Sequence, residues 1–252
     1  MVRWTMYLLL CSFMTGCVTV DETGNTPQGM NKIEASEARV TLGLGYLDKG
    51  QWQRARDNFE LALRYAPRYY RAQNAMAYYY QRVDEPESAE AMYRQALKDS
   101  PKNGDVRNNY GVFLCSQGRY DDAIDEFERA IKQPYYYLTS ASYENAALCR
   151  LEQGNQPQAR GYFEKALSYD PYRARSMLNL SKLDIEAQNF KEARVRLFKF
   201  NKRYGYKADS LWLLIQLEQL AGSDSQADKY AGILKAQYPN SQQYQKYLAN
   251  EY

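Results

Sequence analysis

Apolar, small and aromatic residues recur along the chain at intervals of about 34 residues. The stretch TLGLGYLDKGQWQRARDNFELALRYAP is echoed by GVFLCSQGRYDDAIDEFERAI and by EQGNQPQARGYFEKALSYDP. In each copy, a first segment carries apolar and small residues at helical spacing, and a second segment carries alanine and aromatic residues. The pattern predicts pairs of antiparallel helices that stack in series.

This pattern resembles the tetratricopeptide repeat (TPR), in which each repeat forms two helices. The matching residues are Gly43, Ala77 and Gly111 at the small position of the first helix, and Phe59, Tyr93, Phe127 and Phe163 at the aromatic position of the second. The resemblance predicts an all-α, right-handed TPR solenoid that ends in a capping helix at 242–252. Its six helix-turn-helix repeats are predicted at 36–69, 70–103, 104–137, 140–173, 174–207 and 208–241.

The repeat pattern is disturbed at two places. Two extra residues lie between the third and fourth repeats, in QPYYYLTS, where a proline ends a helix and Tyr135, Tyr136 and Tyr137 follow. These tyrosines either pack the longer joint or form an exposed aromatic patch. The fifth repeat departs most from the pattern, because Leu197 and Phe200 stand at its aromatic and second alanine positions. The geometry of the carboxyl-terminal half therefore stays open.

The amino terminus has the pattern of a secretory signal. One early charge, Arg3, precedes a short apolar run, which falls well below the about 20 residues of a membrane-spanning helix. The sequence MTGC, which ends at Cys17, resembles the lipobox of bacterial lipoproteins. The resemblance implies that 1–16 is a lipoprotein signal peptide, that Cys17 is lipidated, and that Val18 favours the outer membrane. An ordinary signal peptide or a chance cysteine is the alternative.

Between this anchor and the first repeat, residues 17–35 are polar and rich in turn-forming residues. We expect this segment to be a lipidated, flexible tether that holds the solenoid on the periplasmic side of the membrane.

The composition excludes several classes of catalytic site. The chain has no histidine, so it has neither a Ser-His-Asp or Cys-His pair nor an H-E-x-x-H zinc site. The acidic clusters YDDAIDEFE and DEPESAE lie where helices are predicted to begin, and the helix dipole favours carboxylates there. We expect no enzymatic activity, and therefore no catalytic residue, metal site, cofactor or small-molecule substrate.

The charge balance bears on partners. Removing residues 1–16 takes away one charged side chain, Arg3, so that 32 of the 33 basic residues remain against 30 acidic ones. A chain so near neutrality gives no general electrostatic case for binding nucleic acid.

The first helices of stacked repeats line a concave face. In TPR geometry, the second, fifth, ninth and twelfth residues of each repeat point toward it. The predicted protein-binding groove therefore contains Val40, Leu44, Leu47, Arg71, Asn74, Tyr78, Gln81, Asn108, Val112, Glu144 and Leu148, with Cys115, Leu151 and Trp212 at further positions of this kind. We expect apolar contacts to hold a peptide, with Asn74 and Asn108 bonded to its backbone. Burial of this stripe by tight curvature or by the N-terminal segment is the alternative.

Two cysteines follow Cys17. Cys115 and Cys149 lie late in the first helices of the third and fourth repeats, which stack side by side. Because the periplasm is oxidising, the positions predict a disulfide that pins these repeats together. Two free, buried thiols are the alternative.

The lipobox, the six repeats and the segments TLGLGYLDKGQ, NNYGVFLCSQGRYDDA and ENAALC together resemble the PilW/PilF family of type IV pilus biogenesis and stability lipoproteins. The resemblance covers Cys17 to the carboxyl terminus. It implies an outer-membrane lipoprotein that faces the periplasm and acts as a pilotin, helping the pilus secretin to reach the outer membrane and assemble. The implied partners are secretin subunits and other pilus assembly proteins.

Two other interpretations remain at this point. One is a different TPR lipoprotein adaptor that serves outer-membrane barrel assembly or peptidoglycan enzymes. The other is an enzyme hidden in the array, for which the repeats leave no spare domain.

Overall fold

A computed structural model describes residues 31–250, which form thirteen α-helices and no strand. The helices are α1 (Lys32–Asp48), α2 (Trp52–Tyr65), α3 (Tyr70–Arg82), α4 (Pro86–Asp99), α5 (Gly104–Ser116), α6 (Tyr120–Ile131), α7 (Thr139–Glu152), α8 (Gln156–Tyr169), α9 (Ala174–Glu186), α10 (Phe190–Tyr204), α11 (Ala208–Leu220), α12 (Asp224–Gln237) and α13 (Gln242–Leu248). Within this range no helix has the length and apolar character needed to cross a bilayer. The first twelve helices form six antiparallel pairs, and α13 packs against α11 and α12.

The two ends of the array differ from the sequence prediction. Helix α1 begins at Lys32, so residues 32–35 are helical and the prediction of a flexible tether is wrong for them. The side chain of Asn31 caps this helix by accepting a hydrogen bond from the backbone N–H of Ile33 at 3.0 Å. The buried Ser36 hydroxyl, in the next turn, donates to the carbonyl of Ala62 at 2.9 Å and holds the start of α1 against α2.

At the other end, α13 stops at Leu248, before the end of the predicted capping helix. Tyr244 and Tyr247 pack against a buried cluster of Leu211, Ile215 and Leu234 on the last helix pair. Residues 1–30 lie outside the described residues, and with them the predicted signal peptide, the Cys17 lipidation site and most of the tether.

In each of the first five helix pairs, a large side chain at the aromatic position of the second helix is buried, whereas the sixth pair has Ala231 there. The buried side chains at the aromatic position are Phe59, Tyr93, Phe127, Phe163 and Leu197. A Cβ atom added to Gly111 would lie 2.7 Å from the ring of Phe127, so the ring occupies the space that a larger residue would need. In the fifth repeat, Leu197 and Phe200 are buried, and the repeat keeps a packed core despite its divergent sequence.

The turns between paired helices require a left-handed backbone. Gly118 adopts a φ of 71° in the third repeat, which glycine does without steric strain. Gln188 adopts a φ of 58° at the corresponding turn of the fifth repeat. The turn geometry is therefore kept where the sequence lacks the glycine.

The joint between α6 and α7 separates the three tyrosines. The ring of Tyr136 lies over Gly104, and its hydroxyl forms a hydrogen bond of 2.7 Å with that of Ser142. Tyr135, with a φ of 61°, and Tyr137 are both exposed. One tyrosine therefore packs the joint and two project from it, so each sequence interpretation describes part of the arrangement.

Cys115 on α5 and Cys149 on α7 form a disulfide in the structure, with Cα atoms 5.8 Å apart. Both side chains are buried in the core that the second, third and fourth repeats share. The bond links neighbouring first helices beside the irregular α6–α7 joint.

Alanine substitutions at two helical glycines test the packing of α5 against α6. We expect Gly111→Ala to lower the free energy of unfolding by about 1–2 kcal/mol, because overpacking costs about 1–3 kcal/mol and better helix propensity offsets only part of it. Gly45→Ala is the matched control, since an added Cβ on this exposed face of α1 meets nothing within 4 Å. It should stabilise by about 0.5–1 kcal/mol. Equal stabilisation by both changes in urea titrations would contradict the proposed close contact.

Alkylation without reduction tests the bridge between Cys115 and Cys149. The intact mass of the unreduced protein should show that neither of these sulfurs is alkylated. Reduction should lower the free energy of unfolding by about 2–4 kcal/mol, because the bridge closes a loop of 34 residues. The Cys115→Ala/Cys149→Ala variant should have the stability of the reduced protein and no response to reductant. Two alkylated cysteines in the unreduced protein would exclude the bond.

Candidate functional site

An open groove of about 460 Å³ runs across the first helices α1, α3 and α5 and reaches the α6–α7 joint. Eight of the residues predicted for the binding groove line it: Val40, Leu44, Arg71, Asn74, Tyr78, Gln81, Asn108 and Val112. The structure therefore brings eight of the nine groove residues predicted for the first three repeats to one surface.

Three predicted residues lie elsewhere, and the prediction that they line this groove is wrong. Leu47 is only 1% exposed, because the last turn of α1 faces α2 and packs Leu47 into the cluster that contains Phe59. Glu144 is 5% exposed and forms an ion pair with Arg173 at 3.1 Å. Leu148 packs beside the core of the fourth repeat, next to Ala147 and Phe163.

The residues at the other predicted positions are also placed apart from this groove. Cys115 is buried in the disulfide, and Leu151 packs beside Leu148 against the same core. Trp212 lines a separate groove of about 530 Å³ between α9, α11 and α13, together with Arg175 and Lys182.

Several lining residues were not identified from the sequence: Tyr70, Ala75, Tyr93, Asp105, Asn109, Tyr137 and Leu138. Asp105 occupies the second position of its repeat, so the rule used for the other repeats would have identified it. Tyr137 and Leu138 belong to the irregular joint, and the tyrosine triplet was the available signal for them. Tyr93 belongs to the second helix of its repeat, which the rule ignores.

The floor of the groove combines aliphatic and aromatic side chains. Leu44 and Val112 are both exposed and come from α1 and α5, two helices that flank α3. Tyr78 lies on α3, where its hydroxyl accepts a hydrogen bond of 3.0 Å from Arg82. Tyr137 projects from the joint at one end. This surface offers apolar contacts to a ligand that spans the three repeats.

Asn108 is committed to the structure of the joint. Its Oδ1 accepts hydrogen bonds from the hydroxyl of Ser142 at 2.8 Å and from Nδ2 of Asn145 at 3.1 Å. The hydroxyl of Tyr136 completes the chain by donating to Ser142, and burial raises the pKa of Tyr136 to about 12. Asn108 therefore links α5 to α7, and its side-chain oxygen is already occupied by protein donors.

Asn74 has the opposite role. Its buried Oδ1 has no hydrogen-bond partner among residues 31–250, and the same is true of Oδ1 of Asp105. Both residues line the groove. A buried acceptor without a donor carries a free-energy cost of about 1–3 kcal/mol, which a ligand N–H group would relieve.

The positive charge in the groove is neutralised within the protein. Arg71 forms an ion pair of 2.6 Å with Glu37 on α1, and the hydroxyl of Tyr69 donates to the same carboxylate at 2.6 Å. The ion pair links the first two repeats across the groove wall. Apolar side chains together with unpaired acceptors form the kind of surface that recognises an extended peptide.

Comparisons with known proteins agree with this architecture. Two family models described as tetratricopeptide repeat match residues 74–137 and 150–199. The chain is 33% identical to the type IV pilus assembly protein PilF of Pseudomonas aeruginosa over 250 residues, 99% of each chain. It is also 36% identical to an uncharacterized protein of Haemophilus influenzae, over 60% of this chain and 84% of the other.

Two solved structures extend the similarity to three dimensions. The structure of Pseudomonas aeruginosa PilF matches with a TM-score of 0.73 at 33% identity, covering 87% of this chain and 99% of the other. PilW, described as a widely conserved type IV pilus biogenesis factor, matches with a TM-score of 0.73 at 26% identity, covering 84% and 98%.

Alanine substitutions of the two groove asparagines separate a structural role from a binding role. We expect Asn108→Ala to lower the free energy of unfolding by about 1–3 kcal/mol, because Ser142 and Asn145 lose their shared acceptor. Asn74→Ala removes a buried oxygen that has no partner among residues 31–250, so it should not lower the free energy of unfolding and should raise it by about 1 kcal/mol. Urea titrations of both variants measure the difference. A larger loss for Asn74→Ala would reverse the assignment.

Proposed function

Because the chain belongs to the PilF family of type IV pilus assembly proteins, we propose that it acts as the pilotin of the pilus secretin, a non-enzymatic adaptor that promotes secretin localisation and multimerisation. The observation that carries the proposal is the groove across α1, α3 and α5. It combines exposed apolar side chains with hydrogen-bond acceptors that have no donor among residues 31–250. These features suit the binding of a protein segment.

The bound segment lies along the groove and crosses the first three repeats. Its apolar side chains contact Leu44, Tyr78 and Val112, and its backbone N–H groups donate to Oδ1 of Asn74 and Asp105. The partner is a secretin subunit, and other pilus assembly proteins are further candidates. Neither nucleic acid nor a small-molecule substrate is part of this role.

The groove is built for stable recognition because its two ends are braced. The Arg71–Glu37 ion pair joins the first two repeats, and the Asn108 network and the disulfide join the third and fourth. A surface that is already ordered loses less conformational entropy on binding, which favours affinity.

The lipid anchor supplies the second half of the proposed mechanism. Acylation of Cys17, which precedes the described residues, holds the protein on the periplasmic side of the outer membrane. Buried methylene groups contribute about 0.8 kcal/mol each to such anchoring. Because the anchored protein holds the secretin segment in its groove, the secretin subunit is carried with it to the outer membrane.

Deletion followed by complementation tests the proposal in the cell. We expect the deletion strain to lose heat-resistant secretin multimers on immunoblots of unboiled samples, to accumulate monomers and to lose twitching motility. The wild-type gene should restore all three. The Leu44→Asp/Val112→Asp variant should not, because it places two carboxylates on the apolar floor of the groove.

Matched variants separate the groove from the anchor and from general destabilisation. Leu220→Asp changes an exposed leucine on α11 outside the groove and should complement fully. Cys17→Ser should leave secretin binding in extracts intact while the protein is released from membranes washed at about 0.5 M salt, which also weakens ionic contacts with lipid headgroups. Normal multimers in the deletion strain would reject the pilotin role, and a defect in outer-membrane barrel proteins in general would favour the alternative adaptor role.

A further inference from the structure

Helix α10 has two faces of contrasting character. Ala193, Leu197 and Phe200 are buried against the neighbouring helices. On the outer face, Val195 keeps 49% of its surface exposed and Phe198 keeps 68%. The packing of the solenoid does not require apolar side chains on that outer face.

Tyr172, in the loop before α9, extends the apolar part of this surface. It is 54% exposed, and the guanidinium of Arg203 lies 5.6 Å from the centre of its ring. An open depression of about 930 Å³ lies between this tyrosine and α10, with Phe198 on its wall. We call this depression and its rim the α10 surface.

The rim of the α10 surface is cationic. Lys191, Lys199 and Lys202 surround the apolar side chains, and within residues 31–250 none of these lysines forms an ion pair. Two other basic residues of the helix are neutralised, because Arg194 pairs with Glu218 at 2.8 Å and Arg196 pairs with Asp184 at 3.0 Å.

The α10 surface contains no acidic side chain among its lining residues. The residues that line it are Pro171, Tyr172, Lys191, Arg194, Val195, Phe198, Lys199, Lys202 and Arg203, and none of them is acidic. Glu192, the acidic residue of α10, lines the adjoining depression instead. The positive charge is therefore concentrated on one face of a chain whose formal net charge is only +3.

From this charge complementarity we propose that the α10 surface docks on an anionic phospholipid membrane. Helix α10 lies along the bilayer surface, with Val195 and Phe198 at the boundary between headgroups and acyl chains. The lysine ammonium groups contact lipid phosphates while their methylene stems cover the apolar side chains. Basic residues beside an anionic membrane each strengthen such binding several-fold.

The shape of the surface favours a membrane over an acidic protein segment. A peptide site normally recesses its apolar residues so that they enclose a partner side chain. Phe198 and Val195 line an open depression but keep 68% and 49% of their surface exposed, and such an exposed aromatic side chain between lysines suits the soft boundary of a bilayer.

The location of α10 keeps this contact compatible with a free groove. The groove is lined mainly by first helices of the first three repeats, whereas α10 is the second helix of the fifth repeat. The proposal rests on the α10 residues alone, and it stands or falls independently of secretin binding.

Flotation with vesicles tests the proposal. The protein is the mature chain from residue 17 with Cys17→Ser, so that no acyl group contributes. We expect it to float with vesicles made of about three parts phosphatidylethanolamine to one part phosphatidylglycerol. It should not float with vesicles made of phosphatidylcholine alone. Binding should weaken as salt rises from about 0.05 to about 0.5 M, because the Debye length shortens.

Charge reversals on two helices provide the matched comparison. Lys199→Glu/Lys202→Glu should weaken vesicle binding at least about tenfold. Lys229→Glu/Lys235→Glu makes the same change in charge on exposed lysines of α12 and should weaken it less than about threefold. Phe198→Ser should weaken binding about tenfold through lost apolar burial. Unchanged urea midpoints establish that all variants are folded.

A depth probe checks insertion directly. Phe198→Trp should show a blue-shifted emission with phosphatidylglycerol vesicles and quenching by brominated acyl chains, whereas the protein without this substitution should show neither change. Equal weakening by the two charge reversals would show nonspecific adsorption and overturn the proposal. Absence of flotation would also overturn it. So would a protein that binds no vesicles but uses these lysines to bind a synthetic peptide of alternating aspartate and phenylalanine.

Discussion

The close approach of the two helices within each repeat is the constraint on which the rest of the structure depends. A buried ring occupies the space over a small residue, as Phe127 does over Gly111. Aromatic side chains provide large buried areas, so this contact stabilises a pair whose helices are individually marginal. Because each repeat packs only on its neighbours, local pairing sets the curvature of the array and thereby places the first helices on one concave face. The groove follows from this packing.

Irregularity is concentrated at the α6–α7 joint, and the polar chemistry of the groove changes there. Tyr136, Ser142, Asn108 and Asn145 satisfy one another in a hydrogen-bonded chain. In the first three repeats, Asn74 and Asp105 keep buried oxygens without donors. Two asparagines at corresponding repeat positions thus differ in availability, because only Asn108 has donors on the next first helix, Ser142 and Asn145 of α7. The distinction separates the residues that hold the groove together from those that can contact a partner.

The charge distribution gives the solenoid two different surfaces. Most buried carboxylates are paired with arginine, as Glu218 is with Arg194 and Asp184 with Arg196, so the core charges of the fifth and sixth repeats are balanced. The outward lysines of α10 remain unbalanced around Phe198. Apolar recognition in the groove and cationic contact on α10 therefore occupy separate helices. The proposed protein contact in the groove and the proposed membrane contact on α10 therefore do not overlap.

The repeat, its phase and most of the groove can be predicted from the sequence, because helix periodicity and the spacing of small and aromatic residues are local properties of the chain. The sequence left the packing of the divergent fifth repeat open, and the structure shows that Leu197 and Phe200 are both buried there. Tertiary structure also decided that Leu47 and Glu144 are buried and that Asn108 is occupied. These outcomes depend on contacts with residues far along the chain. Periodicity predicts which face of a helix a side chain occupies, but the neighbouring helices determine whether it meets a partner, a core or solvent.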